Sequence, residues 1–87
     1  MEFEWDADKA DLNWRAHGVA FEIATRVFTD PYRIEDDDPE PSEYRQQTIG
    51  MADGRLLFVA FTMRDDVCRI ISARVAERNE RRRYHEG

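Results

Sequence analysis

The sequence predicts an α+β domain in two layers. Two N-terminal helices lie on one face of an antiparallel meander sheet, a last helix follows it, and the order is β-α-α-β-β-β-β-α. Three observations carry this. Ala20, Ile23, Ala24, Val27 and Phe28 form an apolar stripe at helical spacing. Three strand-like runs, Glu43 to Met51, Leu56 to Met63 and Val67 to Ala73, have only turn signals between them. The chain then changes from β-branched and apolar to charged and helical. A striped helix must bury its stripe, and tightly linked strands pair antiparallel, so helices cover one sheet face and the other is left for the last helix, a substrate or another chain.

Each element has a local reason. Phe3-Glu4-Trp5 reads as a short first strand, and Asp6 is an N-cap with Lys9 where a capping-box glutamate is usual. The first helix runs from Ala7 to Ala16 and stops at Gly18, where a left-handed residue costs little. The second runs from Ala20 to Phe28 and ends at Thr29-Asp30-Pro31, and Tyr32 to Ile34 makes a strand. The acidic stretch Glu35 to Glu43, with two prolines, is a loop. It lacks the glycine and the twelfth-position glutamate of a calcium loop. Ala52-Asp53-Gly54 is a hairpin turn, Leu56 to Met63 is apolar on both faces and therefore central, and Arg64-Asp65-Asp66 returns the chain to the last strand. Strict alternation sets Val67, Arg69, Ile71 and Ala73 on one face and Cys68, Ile70, Ser72 and Arg74 on the other. The last helix starts near Val75, with Glu77–Arg81 and Glu80–Tyr84 pairs four apart, and is too poor in apolar residues to hold by burial alone.

Eighty-seven residues make one domain, spanning 1–87, with a small core. A hydrophobic fraction of 41% argues against a disordered chain. The single cysteine, Cys68, makes no internal disulfide, and no zinc-ligand spacing exists, so a reducing, cytoplasmic setting is expected. No signal peptide or membrane-length apolar run is found, and Met-Glu-Phe-Glu reads as a native start. The net charge of −6 argues against a general nucleic-acid coat, but the charge is unevenly placed. Arg69, Arg74, Arg78, Arg81, Arg82 and Arg83 crowd the C-terminal stretch, whereas Lys9 is the only lysine. Planar guanidinium forks suit phosphate, and they suit an acidic partner peptide equally.

Three blocks say more: W-D-A-D-K-A-D-L-N-W-R-A-H-G-V-A-F-E-I-A (Trp5–Ala24), R-Q-Q-T-I-G-M (Arg45–Met51) and R-I-I-S-A-R-V-A-E-R-N-E-R-R-R-Y (Arg69–Tyr84). Together they resemble the BrnT family, toxins of type II toxin–antitoxin systems. The resemblance implies a RelE-like ribonuclease fold, RNA cleavage that arrests translation and growth, and no cofactor or metal. It implies a hetero-oligomer with a BrnA-type antitoxin bearing a ribbon-helix-helix end, with operator DNA touched only through that antitoxin. The family commonly has a second basic residue before the histidine of H-G-V; here Ala16 stands there, with Arg15 as partial compensation.

Metal-free RNA cleavage needs a base for the ribose 2′-OH, an acid for the leaving 5′-oxygen, and cations for the crowded phosphorane. Arg69 and Arg74 are the expected phosphorane stabilisers, Glu80 a general base or an arginine orienter, His17 an acid or base, and Tyr84 a hydrogen-bond donor. Lys9, Arg45 and Arg81 are expected to bind the substrate. Each has a plainer role: His17 capping a helix end, Glu80 in a surface ion pair, Arg69 paired with an acid, Trp5 and Trp14 in the core. Strict alternation also separates Arg69 from Arg74 unless the strand twists, bulges or ends between them. The competing reading is a non-enzymatic module whose arginine helix docks an acidic partner within an autorepressing DNA-binding complex.

Overall fold

The computed structural model describes residues 1–37 and 44–87; the loop expected over Glu35 to Glu43 therefore lies partly outside the described residues. The strands are β1 (Glu2–Glu4), β2 (Ile34–Asp37), β3 (Gln46–Ala52), β4 (Arg55–Arg64) and β5 (Val67–Val75), and the helices are α1 (Ala7–His17), α2 (Phe21–Ala24) and α3 (Arg78–Glu86). The chain is α+β, in the expected order, with one five-stranded sheet ordered β1-β5-β4-β3-β2.

The sheet is mixed, which corrects the all-antiparallel expectation. Strands β2 to β5 form the antiparallel meander, but β1 lies parallel to β5, with Glu2, Phe3 and Glu4 opposite Val67, Cys68 and Arg69. Local patterns report hairpin partners well and say nothing of a pairing between the two ends of the chain.

Helix α1 is capped as its sequence requires. The Asp6 side chain accepts from the Lys9 N–H at 3.0 Å, and Gly18, at φ 66°, donates to the Trp14 carbonyl at 2.8 Å. The second helix is a single α-turn followed by a 3₁₀ segment, Thr25–Thr29, rather than one helix to Phe28. The Thr25 and Thr29 hydroxyls donate to the carbonyls three residues back, at 2.7 and 2.8 Å, and such back-bonding competes with a regular helix. The tightened segment packs on β3 at Gly50, where an added Cβ would lie 3.2 Å from the Val27 Cβ and carbonyl oxygen. The second expected strand, Tyr32 to Ile34, is displaced into the acidic residues as β2. As an edge strand β2 has one solvated side, which accepts charge. Asp53 and Gly54, at φ 50° and 79°, make the two-residue hairpin turn that D-G signals.

The core lies between the sheet and the N-terminal helices. Val19, Phe21, Ala24 and Val27 pack against Leu57, Val59, Phe61, Cys68, Ile70 and Ala73, with Phe3, Trp5 and Phe28 closing the margins. Trp14, expected in the core with Trp5, is instead 57% exposed on α1. The opposite face carries a smaller cluster of Ile49, Leu56 and Ala76 with Phe58 and Tyr84, and α3 covers it. The expected strand–helix change near Val75 falls later. Val75 completes β5, the Ala76 N–H donates to the Leu56 carbonyl at 2.9 Å, and α3 begins at Arg78.

Candidate functional site

Strand β5 positions the basic groups, and its irregularity decides which share a face. Phe61 pairs with Ile70 and Ala60 with Ser72, which leaves Ile71 as an extra residue in β5. That bulge resets the alternation. Cys68, Ile70 and Ala73 are buried in the main core, so Arg69, Ser72 and Arg74 all belong to the opposite face. The alternation expected from the sequence, which put Ala73 with Arg69 and Arg74 with Cys68, is overturned. About four strand steps, or roughly 13 Å, separate Arg69 from Arg74 along that face.

Arg74 is held from three sides. Its Nη1 and Nη2 donate to the Glu80 Oε1 and Oε2 at 2.8 and 2.9 Å, a bidentate pair, and Nη1 also reaches the Val75 carbonyl at 3.3 Å. Its guanidinium carbon lies 4.3 Å from the centroid of the Phe58 ring, the residue opposite it on β4. Of five N–H donors these contacts use three; among the described residues the Nε and one Nη2 donor meet no partner and form a second planar fork.

Glu80 is 7% exposed and sits at the third position of α3, where its Oε1 also accepts the Glu77 N–H at 2.7 Å. Burial works against its charge, but the bonds from Arg74 and Glu77 and the field of Arg83 outweigh it and hold its pKa below the usual glutamate value. Such a carboxylate orients an arginine better than it takes a proton. Reciprocally, the Glu80 carboxylate raises the Arg74 pKa, so that guanidinium is permanently charged.

The other expected residues are spread along the same strand. Arg69 donates through Nη1 to the Glu4 Oε2 of neighbouring β1 at 2.7 Å, the acid pairing anticipated as its plainer role. Arg45 directly precedes β3 at the Thr62–Arg69 end of the sheet. Helix α1 runs alongside β5 in the same direction, because Arg69 acts on the Asp6 carboxyl while Asn13 bonds Ala73. Exposed Lys9 therefore lies toward Arg69, and His17, one turn past Asn13, toward the Arg74 end. Arg81 is exposed on α3 one turn from Glu77, whose carboxylate lies 3.8 Å from Arg74. Arg69 and Arg74 thus share a face but answer to different carboxylates.

Tyr84 is occupied elsewhere. Its hydroxyl donates to the Asp30 Oδ2 at 2.6 Å, a bond that raises the phenol's pKa to about 12. Asp30, 8% exposed, also accepts the Met51 N–H at 2.8 Å and the Tyr32 N–H at 2.9 Å. Burial opposes its charge, yet these donors keep its pKa lowered.

Three supporting residues escaped the sequence reading. Asn13, 7% exposed, donates to the Val19 and Ala73 carbonyls at 3.0 and 2.8 Å and accepts the Ala73 N–H at 3.1 Å. Its amide pairs the edge of β5 where the three-residue β1 has run out, and so fixes the strand just before Arg74. Phe58 looked like one more apolar residue of a central strand. In the sequence Asp30 signals only a helix end before Pro31. Among the described residues, no three His, Cys, Asp or Glu side chains gather as metal ligands, and no helix is long and apolar enough to cross a membrane.

One cleft of about 440 Å³ opens at the far end of α3, lined by residues 31–34 with Tyr84, His85 and Gly87; of the expected site residues it contains Tyr84 alone. Residues 5–80 match the family model described as ribonuclease toxin, BrnT, of type II toxin–antitoxin system. No curated protein matches the chain.

Proposed function

The chain belongs to the BrnT family of ribonuclease toxins of type II toxin–antitoxin systems, and from that premise we propose that it is a metal-independent endoribonuclease, one RelE-like domain over 1–87, whose cleavage arrests translation until a BrnA-type antitoxin binds it.

The observation that carries the reading is Arg74: a guanidinium clamped by Glu80 and Phe58 with a second donor fork left open. In this mechanism the ribose 2′-oxygen attacks the adjacent phosphorus in line, and the P–O5′ bond breaks. The products are a 2′,3′-cyclic phosphate and a 5′-hydroxyl. The open fork of Arg74 holds the non-bridging oxygens as charge builds on them. Glu80 is a positioning residue that fixes the fork and keeps it charged. His17, near the same end of β5, takes the proton of the 2′-OH and delivers it to the leaving 5′-oxygen. Arg69, Arg45, Lys9 and Arg81 attract and align the phosphates on either side, and Tyr84 serves by anchoring α3. Operator DNA is met only through the antitoxin.

The test is purified, antitoxin-free chain acting on RNA in EDTA. The reading expects cyclic-phosphate ends, with Arg74→Ala folded but at least a hundredfold slower. The pairing of Arg69 and Arg74 with carboxylates of the chain itself favours the alternative, a non-enzymatic module that docks an acidic partner. RNA left intact at every protein concentration decides for that module.

A further inference from the structure

The cleft at the end of α3 is a second site with its own chemistry. We propose that it is a base-binding subsite, taking one unpaired nucleotide of the RNA that Arg74 holds, and so contributing to sequence preference. This rests on the ribonuclease reading above.

Both walls hang from one buried carboxylate. Asp30 accepts the Tyr32 N–H through Oδ1 and the Tyr84 hydroxyl through Oδ2, while its carbonyl accepts the Arg33 N–H at 3.2 Å and Arg33 Nη1 at 3.1 Å. The cleft is therefore formed before any ligand arrives. Its surfaces are planar. The Tyr84 and His85 rings stand edge to face at 5.3 Å and 87°, and Tyr32, 77% exposed, also lines the cleft. Arg33 supplies the cation, with Nε bound to Glu35 at 2.8 Å and Nη2 without a partner among the described residues. Rings with one guanidinium are what a base and its phosphate require. The volume, about 440 Å³, suits one such ligand. The cleft also adjoins the cutting site. Tyr84 lines it while packing in the cluster that holds Phe58, and lies one helical turn, about 6 Å, beyond Glu80. A strand laid on Arg74 carries its neighbouring nucleotide there.

The chain has only two histidines, so ring-proton NMR reports the cleft through His85 and the cutting site through His17. Titration of the full chain with AMP, GMP, UMP and CMP is expected to move the His85 resonance, purines more than pyrimidines. Ribose 5-phosphate, which has no base, is expected to move His85 much less than AMP does, while His17 answers to the phosphate of either alike. Tyr32→Ala should weaken AMP binding about fivefold or more and change the bases preferred beside the cut, whereas Tyr32→Phe keeps both. If the wild-type chain cuts RNA but no nucleotide moves His85, the subsite is refuted and the nuclease stands. If nucleotides move His85 in a chain that cuts nothing, the nuclease falls and the cleft remains a nucleotide site. A His85 response to ribose 5-phosphate equal to that of AMP, or one produced only by the antitoxin chain, overturns the proposal in favour of an anion or a protein contact.

Discussion

Glu80 decides at the scale of one side chain whether this site works by orientation or by proton transfer. Its oxygens accept three hydrogen bonds, and its pKa lies below the usual value despite burial. An orienting role predicts that Glu80→Gln lowers kcat more than tenfold, leaves KM nearly unchanged and costs about 1–3 kcal/mol of stability. The shape of the pH–rate profile should survive, lowered uniformly; loss of its acidic limb would make Glu80 the base instead. Thr48 is the converse case. It is fully buried, and its hydroxyl has no hydrogen-bond partner among the described residues. Thr48→Val keeps the shape and removes the stranded donor, so it should raise stability by about 1 kcal/mol in a denaturant melt. The residue types of the site were legible, since an arginine-rich terminus with one suitably spaced glutamate is visible in a string of letters. The partnerships were not. Phe58 under Arg74 and Asp30 under Tyr84 are contacts across 16 and 54 positions of sequence.

The element on which these contacts converge is α3. Only Glu80 of its residues is buried, so polar anchors must hold it: Glu80 to Arg74, Tyr84 to Asp30, and Arg83 to Asp36. Their pH dependence has two opposite signs. Glu80 and Asp30 have lowered pKa values, so their stabilisation is present above the ordinary 4.5 and 3.8 and is lost as pH falls through the still lower folded values. Tyr84 is raised, so its contribution is complete below the ordinary 10.0 and is lost as pH rises toward about 12. The docking of α3 should therefore be flat between these limits and fail at both, as followed by amide exchange along 78–86. Tyr84→Phe should remove the alkaline arm, leave the acidic one, and cost about 1 kcal/mol. Strand β5 shows at the same scale why part of the site was hidden. Its β-branched run announces a strand, and its length was nearly right. A bulge changes no residue type, so nothing in R-I-I-S-A-R marks Ile71 as the extra position that turns Arg74 to the face of Arg69.

For the whole molecule the question is how a chain of net charge −6 grips a polyanion. Many of its arginines are already paired within the chain: Arg15, Arg26, Arg33, Arg69, Arg74 and Arg83 each meet a carboxylate. Affinity built on a broad basic surface would fall steeply with salt, since each phosphate neutralised on a single strand contributes a slope of about −0.7 in log K against log [salt]. The phosphates are met instead at Arg74 and the four groups that align the strand, Arg69, Arg45, Lys9 and Arg81. Binding of a short single-stranded RNA by a slowly cutting Arg74→Lys variant should show a slope of about −3.5, corresponding to about five contacts. Fluorescence anisotropy across a salt series measures it. Arg69→Gln should flatten the slope by at least one full contact, about 0.7, because removing Arg69 also releases Glu4 to repel the strand at the same place. A slope near −5 would mean that the protein wraps RNA with arginines the fold holds in ion pairs, and that those pairs open on binding. The shallow slope instead leaves specificity to geometry, the clamped fork at one end of α3 and the aromatic cleft at the other.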